Sequence, residues 1–173
     1  GEAERRFAGA EEGAVAELSP ARRALVSELA TRIAADGGQA LFVDYGGIAR
    51  TPVDTLQAVR RHARVAPLDH LGTVDLSTAV DFAPLVAAGR AAGCAVYGPV
   101  PQATFLRELG IELRAAALAR SRRGEAREAV MAGVHRLLDP RTMGEAFKGF
   151  ALAPAGAPPP AGFALATAAE PMR

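Results

Sequence analysis

Apolar positions recur with helical and strand spacing along most of the chain, and glycines and prolines separate the segments. A helix is predicted over residues 19–38, because Ser19 suits the N-cap, Pro20 suits the first helical position and two glycines end the segment. Its inward face is predicted to carry four apolar side chains, Leu25, Val26, Leu29 and Ile33.

Two short apolar segments have the composition of buried strands. Residues 39–47 end in a carboxylate and two glycines, and residues 94–100 follow a helix that is predicted to begin at Asp81, as its cap, and to end at Ala92. A helix next to such a strand is typical of a parallel α/β layer. Weaker strand patterns occur at residues 55–60 and 146–153, on either side of helices predicted at 102–109, 112–121 and 125–138.

The number of predicted strands is low for an independent domain, since a parallel sheet needs several more to cover its faces. We therefore expect either a homodimer or the second half of a larger domain. The polar opening, which starts with Gly1, indicates a piece cut from a longer protein. The predicted division is a lead-in over residues 1–18, the domain over 19–153, and a loosely held Pro/Gly/Ala-rich tail over 154–173.

Composition narrows the class of protein. The 20 Lys and Arg nearly balance the 19 Asp and Glu, and only 5% of residues are aromatic, which argues against nucleic acid as a partner. No apolar run approaches the roughly 20 residues of a membrane span, so we expect no membrane partner and a cytoplasmic location. Cys94 is the single cysteine, which excludes an internal disulfide, and no metal site is predicted.

The first candidate for chemistry lies at the end of the first predicted strand, where Asp44 and Tyr45 precede Gly46 and Gly47. Ligands of open α/β sheets bind beyond the carboxyl ends of the strands, and glycines permit close approach of a backbone. The alternative is a strand that leaves through a glycine turn, with Asp44 capping local amides.

Two further candidates lie in the segment that follows. His62 could act as an acid or base near neutral pH, although two neighbouring arginines also suit an exposed histidine. Asp75 lies six residues before Asp81, so the two carboxylates are a candidate catalytic pair. This pair is only a weak suggestion, because Asp81 is better explained as a helix cap. The sequence contains no Gly-x-Gly, His-Glu-x-x-His or Gly-x-Ser-x-Gly pattern, so these motifs identify no cofactor site.

Five ordered segments together resemble the MidA-like family of S-adenosyl-L-methionine (SAM)-dependent methyltransferases. The segments are LFVDYGG (41–47), DTLQAVRRH (54–62), VDLSTAVDF (74–82), GPVPQATFLRELGI (98–111) and DPRTMGEAFKGFAL (139–152). The likeness extends over residues 19–163, and the mitochondrial relatives in this family are protein-arginine methyltransferases needed for assembly of respiratory complex I. The chain departs from the family pattern at Ala66, where an acidic residue is usual, and at Ser77, where threonine is usual.

The resemblance implies an α/β fold class, namely the C-terminal half of a Rossmann-like SAM-dependent methyltransferase fold. SAM would then be bound mainly by the missing N-terminal half, with Gly46 and Gly47 as the weak cofactor-binding candidates of this half, and the fragment alone would be inactive. For a protein arginine substrate, carboxylates must hold the guanidinium, and Asp44 and Asp75 are the candidates, with Tyr45 and His62 as orienting groups.

A different class of function is also open from the sequence. The chain could be a non-catalytic protein-interaction module that docks through an exposed sheet edge or through the helices between residues 102 and 138.

Overall fold

The computed structural model describes residues 1–49 and 51–165. Its helices are α1 (Glu2–Arg6), α2 (Pro20–Asp36), α3 (Ala83–Ala91), α4 (Gln102–Glu108), α5 (Ile111–Arg120) and α6 (Glu125–Leu138). Its strands are β1 (Ala40–Gly47), β2 (Gln57–Arg60), β3 (Ala63–Val65), β4 (Asp75–Ser77), β5 (Val80–Asp81), β6 (Ala95–Pro101) and β7 (Phe147–Ala153).

The main sheet has the strand order β5-β1-β7-β6. β1 runs parallel to β5, with Gly46 opposite Val80, and antiparallel to β7, with Phe42 opposite Phe150. β6 is also antiparallel to β7. A second, three-stranded sheet with the order β3-β2-β4 is entirely antiparallel and fills much of the stretch between β1 and β5.

The predicted helix over residues 19–38 is confirmed as α2. The Ser19 hydroxyl accepts a hydrogen bond from the Arg22 amide at 3.4 Å, Pro20 is the first helical residue, and Gly37 ends the helix with a φ of 81°. The side chains that α2 buries follow helical spacing and are Val26, Ala30 and Ile33. The inward placement of Leu25 was wrong, because this side chain is 54% exposed beside that stripe.

Two apolar clusters cover opposite faces of the main sheet, since alternate residues of β6 and β7 belong to different clusters. On one face, α2 and α3 pack over Phe82 and Phe150. On the other face, α4 contributes Phe105, whose ring lies 5.2 Å from that of Phe163. The expectation of a loosely held tail is therefore wrong for Phe163, which is completely buried by this contact.

β1 differs from the fully buried strand that its apolar sequence suggested. Leu41 is 55% exposed and Val43 is 47% exposed, and the long pairing of β1 is antiparallel to β7. β5 pairs only with Gly46 and Gly47, so within the described residues the same edge of β1 has no strand partner over residues 40–45. The strand is present as predicted, but the parallel layer expected around it is limited to this short pairing.

The remaining elements follow the predicted order with local corrections. The helices expected at residues 102–109, 112–121 and 125–138 are α4, α5 and α6, and the weak strands at 55–60 and 146–153 are β2 and β7. Helix α1 and strands β3, β4 and β5 were not predicted. The helix expected to begin at Asp81 is α3, which begins two residues later at Ala83, because Asp81 ends β5. The Asp81 carboxylate accepts a hydrogen bond from the Ala83 amide.

Candidate functional site

A cleft of about 620 Å³ lies at the carboxyl ends of the parallel strands β1 and β5. Its walls come from α1, the segment that leads into α2, the loop after β1, and the junction between β5 and α3. In open α/β sheets this end of parallel strands is where ligands bind, so the cleft is the candidate functional site.

Gly46 allows the two strands to meet at the base of the cleft. Its φ is 146°, and a Cβ on this residue would lie 2.0 Å from the Val80 carbonyl oxygen. The neighbouring Gly47 carbonyl accepts a hydrogen bond from the Phe82 amide at 2.9 Å. Only glycine fits the close approach at position 46, and this approach sets the position of Asp81 directly after Val80.

Asp81 is the carboxylate at the end of β5, and its two oxygens have different partners. Oδ1 accepts from the backbone amides of Ala83 at 3.1 Å and Ala49 at 3.3 Å. Oδ2 forms an ion pair with the guanidinium of Arg6, whose Nη2 also donates to the Ala49 carbonyl at 3.4 Å. Both charged side chains are about four-fifths buried in the cleft wall, with exposed fractions of 19% and 20%.

A second network holds another part of the cleft wall. Glu17 accepts from the Thr55 amide at 2.8 Å and from the Thr55 hydroxyl at 2.6 Å, and this hydroxyl accepts from the Ala79 amide at 2.9 Å. Arg22, in the first turn of α2, donates to the Ala79 carbonyl at 3.4 Å and to Thr78 Oγ1 at 3.1 Å. These bonds fasten the loop after β1 and the approach to β5 onto the start of α2.

The candidates on β1 lie at different positions around this cleft. Gly46 and Gly47 line it, whereas Asp44 is exposed on the strand and accepts from the amide of Tyr45 at 2.8 Å. The Tyr45 ring packs against Phe147 at 5.9 Å, and its buried hydroxyl has no hydrogen-bond partner among the described residues. Their proposed catalytic roles stay predictions.

The other two candidates lie on the second sheet. His62, with a φ of 65°, and Arg61, with a φ of 49°, form the turn between β2 and β3. Asp75 is exposed at the start of β4, opposite Val59. Neither His62 nor Asp75 lines the cleft, so the fold does not gather the four predicted catalytic residues around it.

Cys94 is buried, and its thiol donates to the Ala30 carbonyl at 3.2 Å. Burial raises the pKa of the Cys94 thiol. Over residues 1–49 and 51–165 no group of three or more His, Cys, Asp or Glu side chains is arranged to hold a metal ion. None of the helices in the same residues has the length and apolar character that crossing a membrane requires.

The pair formed by Arg6 and Asp81 was not predicted from the sequence. Arg6 was expected in a polar lead-in, and Asp81 was expected only as a helix cap. An aspartate that directly follows a short buried strand segment was the available signal, because such a residue projects from the carboxyl end of the sheet. Its arginine partner is 75 residues away in sequence, so no local pattern could indicate it.

The chain has relatives among characterised methyltransferases. Residues 2–100 match the family model described as "Putative S-adenosyl-L-methionine-dependent methyltransferase". The mitochondrial protein arginine methyltransferase NDUFAF7 of Mus musculus is 39% identical over 142 residues, which are 80% of this chain and 31% of the relative. The chain thus spans just under a third of the length of this curated relative.

Solved structures agree with the family match. A crystal structure from Burkholderia thailandensis superposes with a TM-score of 0.77 at 30% identity, over 88% of this chain and 42% of that chain. A second structure from the same organism, bound to S-adenosyl-homocysteine, superposes with a TM-score of 0.75 at 29% identity. This match covers 88% of this chain and 41% of that chain. The family model covers more than half of the chain, and the predicted MidA-like resemblance and α/β fold class are confirmed: the chain belongs to this family of SAM-dependent methyltransferases.

Proposed function

We propose that this chain is the C-terminal part of a class I SAM-dependent methyltransferase that acts on arginine side chains of a protein. The observation that carries the proposal is the cleft at the carboxyl ends of β1 and β5, in a chain whose mouse relative is a protein arginine methyltransferase. Residues 19–153 would form the C-terminal part of the methyltransferase domain.

The main sheet supports the idea that the domain continues beyond this chain. The edge of β1 over residues 40–45, which no described strand pairs with, and the exposed side chains of Leu41 and Val43 offer backbone and apolar surface for further strands and helices. The greater length of the relatives is consistent with such additional elements.

We infer that the described residues do not by themselves make a complete site for SAM. A ribose needs acceptors for its hydroxyls, yet two of the cleft carboxylates are bonded within the chain, Glu2 to Arg23 and Glu17 to Thr55, and the third, Asp81, faces a guanidinium. We therefore assign SAM binding mainly to the rest of the longer protein, with Gly46 and Gly47 as the contribution of this chain. The 173 residues alone are then expected to be inactive.

SAM supplies an electrophilic methyl group when it is bound. The task of this chain would be to orient the substrate guanidinium, because carboxylates bind that group through charge-assisted hydrogen bonds. Asp44 and Asp75, with Tyr45 and His62 as orienting groups, remain the sequence-based candidates. Replacement Asp44→Asn in the complete enzyme should lower turnover or substrate affinity, and unchanged kinetics would make Asp44 a structural residue.

Calorimetry with SAM tests the proposal on two samples, the 173-residue chain and the same chain joined to the polypeptide encoded upstream of it. We expect binding in the longer protein only. No binding in either sample would overturn the cofactor assignment, and methylation by the 173 residues alone would overturn their proposed incompleteness.

A second candidate function is a non-catalytic interaction module. The observation in its favour is the exposure of the α5–α6 hairpin, where Leu113 is 79% exposed, Met131 is 51% exposed, and only Ala115 and Leu138 are buried. The module would gain support if the longer protein bound no SAM while substitutions on this hairpin abolished a protein interaction.

A further inference from the structure

We propose that the Asp81 carboxylate and the Ala49 carbonyl form a guanidinium-binding site in the cleft. In this structure the site holds Arg6 of the same chain, and the arginine side chain of a substrate would displace Arg6 from it. The inference rests on the proposed function, since it names the group that recognises the substrate.

The arrangement around Asp81 fits a cationic, planar ligand. The amides of Ala83 and Ala49 fix one carboxylate oxygen, which leaves Oδ2 directed to the guanidinium. The Ala49 carbonyl provides a second acceptor for the same Nη2. An anionic oxygen and a carbonyl side by side are suited to the several N–H donors of a guanidinium.

Asp81 differs from the other carboxylates of the cleft in the kind of partner that it has. Both oxygens of Glu17 are bonded to Thr55, which belongs to the wall itself, and Glu2 lies at the rim with the partly exposed Arg23. Asp81 Oδ2 instead faces a side chain that enters the cleft from a terminal segment. Of Asp81 and Glu17, Asp81 can therefore exchange its partner with less rearrangement of the walls.

Apart from the contacts of Arg6 itself, the segment that carries Arg6 is weakly anchored. α1 has five residues and buries none of them. Its neighbouring ion pair, Arg23 with Glu2 at 2.8 Å, involves side chains that are 46% and 35% exposed, and such pairs contribute about 0–1 kcal/mol. Segments with few buried contacts open at low free-energy cost, so Arg6 can leave the site without unfolding the sheet.

The test uses the 173-residue chain and N-acetyl-arginine amide as the probe. Nuclear magnetic resonance follows the amide signals of Ala49 and Ala83 during titration, because both amides donate to Asp81. We expect Arg6→Met to bind the probe at least about tenfold more tightly than the parent chain. In the parent chain only the molecules whose site is not filled by Arg6 can bind the probe, and the apparent affinity falls in proportion to that fraction. The double variant Arg6→Met, Asp81→Asn should lose this binding.

Matched controls separate this site from general charge effects. Arg5→Met removes an exposed arginine of the same helix α1 that does not line the cleft, and it should leave probe affinity as in the parent chain. N-acetyl-citrulline amide has nearly the shape of the probe without its charge, and N-acetyl-lysine amide has charge without the planar fork; both should bind Arg6→Met weakly. Circular dichroism checks the fold, and Arg6→Gln replaces Arg6→Met if the latter does not fold.

Equal probe affinity in the parent chain and in folded Arg6→Met, or no binding in either, would overturn the inference. Equal binding of the arginine and citrulline probes to Arg6→Met would overturn it as well. This comparison does not depend on whether the Asp81 variant folds. The titration needs neither SAM nor methyl transfer, so its failure is distinguishable from failure of the proposed function, which the calorimetric comparison tests.

Discussion

Replacement of Gly46 by alanine is the sharpest perturbation of the cleft. The added Cβ would lie 2.0 Å from the Val80 carbonyl oxygen and 2.6 Å from the Val80 nitrogen, both backbone atoms that cannot rotate away. Overpacking of this kind costs about 1–3 kcal/mol, and a non-glycine residue in a sparsely populated backbone region costs about 1–3 kcal/mol more. With a φ of 146° at Gly46, we expect Gly46→Ala to lower the free energy of unfolding by about 2–6 kcal/mol.

Gly47→Ala is the matched control, because nothing lies within 4 Å of a Cβ at this neighbouring position. Urea denaturation followed by circular dichroism gives both free energies, and the amide resonance of Phe82 reports whether its bond to the Gly47 carbonyl persists. Gly47→Ala should stay within about 0.5 kcal/mol of the parent. If Gly46→Ala were equally mild, with an unshifted Phe82 signal, the close contact of β1 and β5 would not shape the cleft.

Three further predictions concern other parts of the fold. Phe163→Ala should lower the free energy of unfolding by about 3–5 kcal/mol, whereas Leu165→Ala, at a 79% exposed position, should cost less than about 0.5 kcal/mol; equal losses would refute the packed tail. The side-chain hydrogen bond from Arg141 lowers the pKa of Asp139 to about 2, below the value of this group in the unfolded chain. The ionised Asp139 therefore stabilises the fold fully above about pH 4, and this contribution is lost as the pH falls towards 2. Arg141→Met should raise that pKa in a carboxyl-resolved titration by nuclear magnetic resonance, and an unchanged value would contradict the assignment. Burial raises the pKa of Cys94, so iodoacetamide should alkylate it much faster in urea than in buffer, and equal rates would contradict its burial.

Helices were more predictable from this sequence than strand environments. Ser19, Pro20 and Gly37 define α2 through local capping and backbone preferences, which act within a few residues. The exposure of Leu41 and Val43 depends on which strands and helices lie beside β1, and an apolar run looks the same whether its faces are covered or open.

The candidate site was predictable only where the backbone itself carries the signal. Gly46 and Gly47 line the cleft, as expected for glycines at the end of a strand. The partners of Asp81 come from the loop after β1 and from α1, so its surroundings depend on long-range folding. His62 and Asp75 were expected near the same site, but they lie on the second sheet, of which only β2 was predicted.

The open edge of β1 and the cleft are two consequences of one pairing. β5 pairs with β1 at Gly46 and Gly47, which forms the base of the cleft, and among residues 1–49 and 51–165 no strand pairs with residues 40–45 on that side. A strand added along this edge parallel to β1 would end beside β5, because parallel neighbours place their carboxyl ends at the same edge of a sheet. Strands supplied by a longer protein would thus complete the sheet and add a wall to the cleft at the same time. Completion of the fold and completion of the binding site are therefore expected to occur together, and a substitution such as Gly46→Ala should impair both.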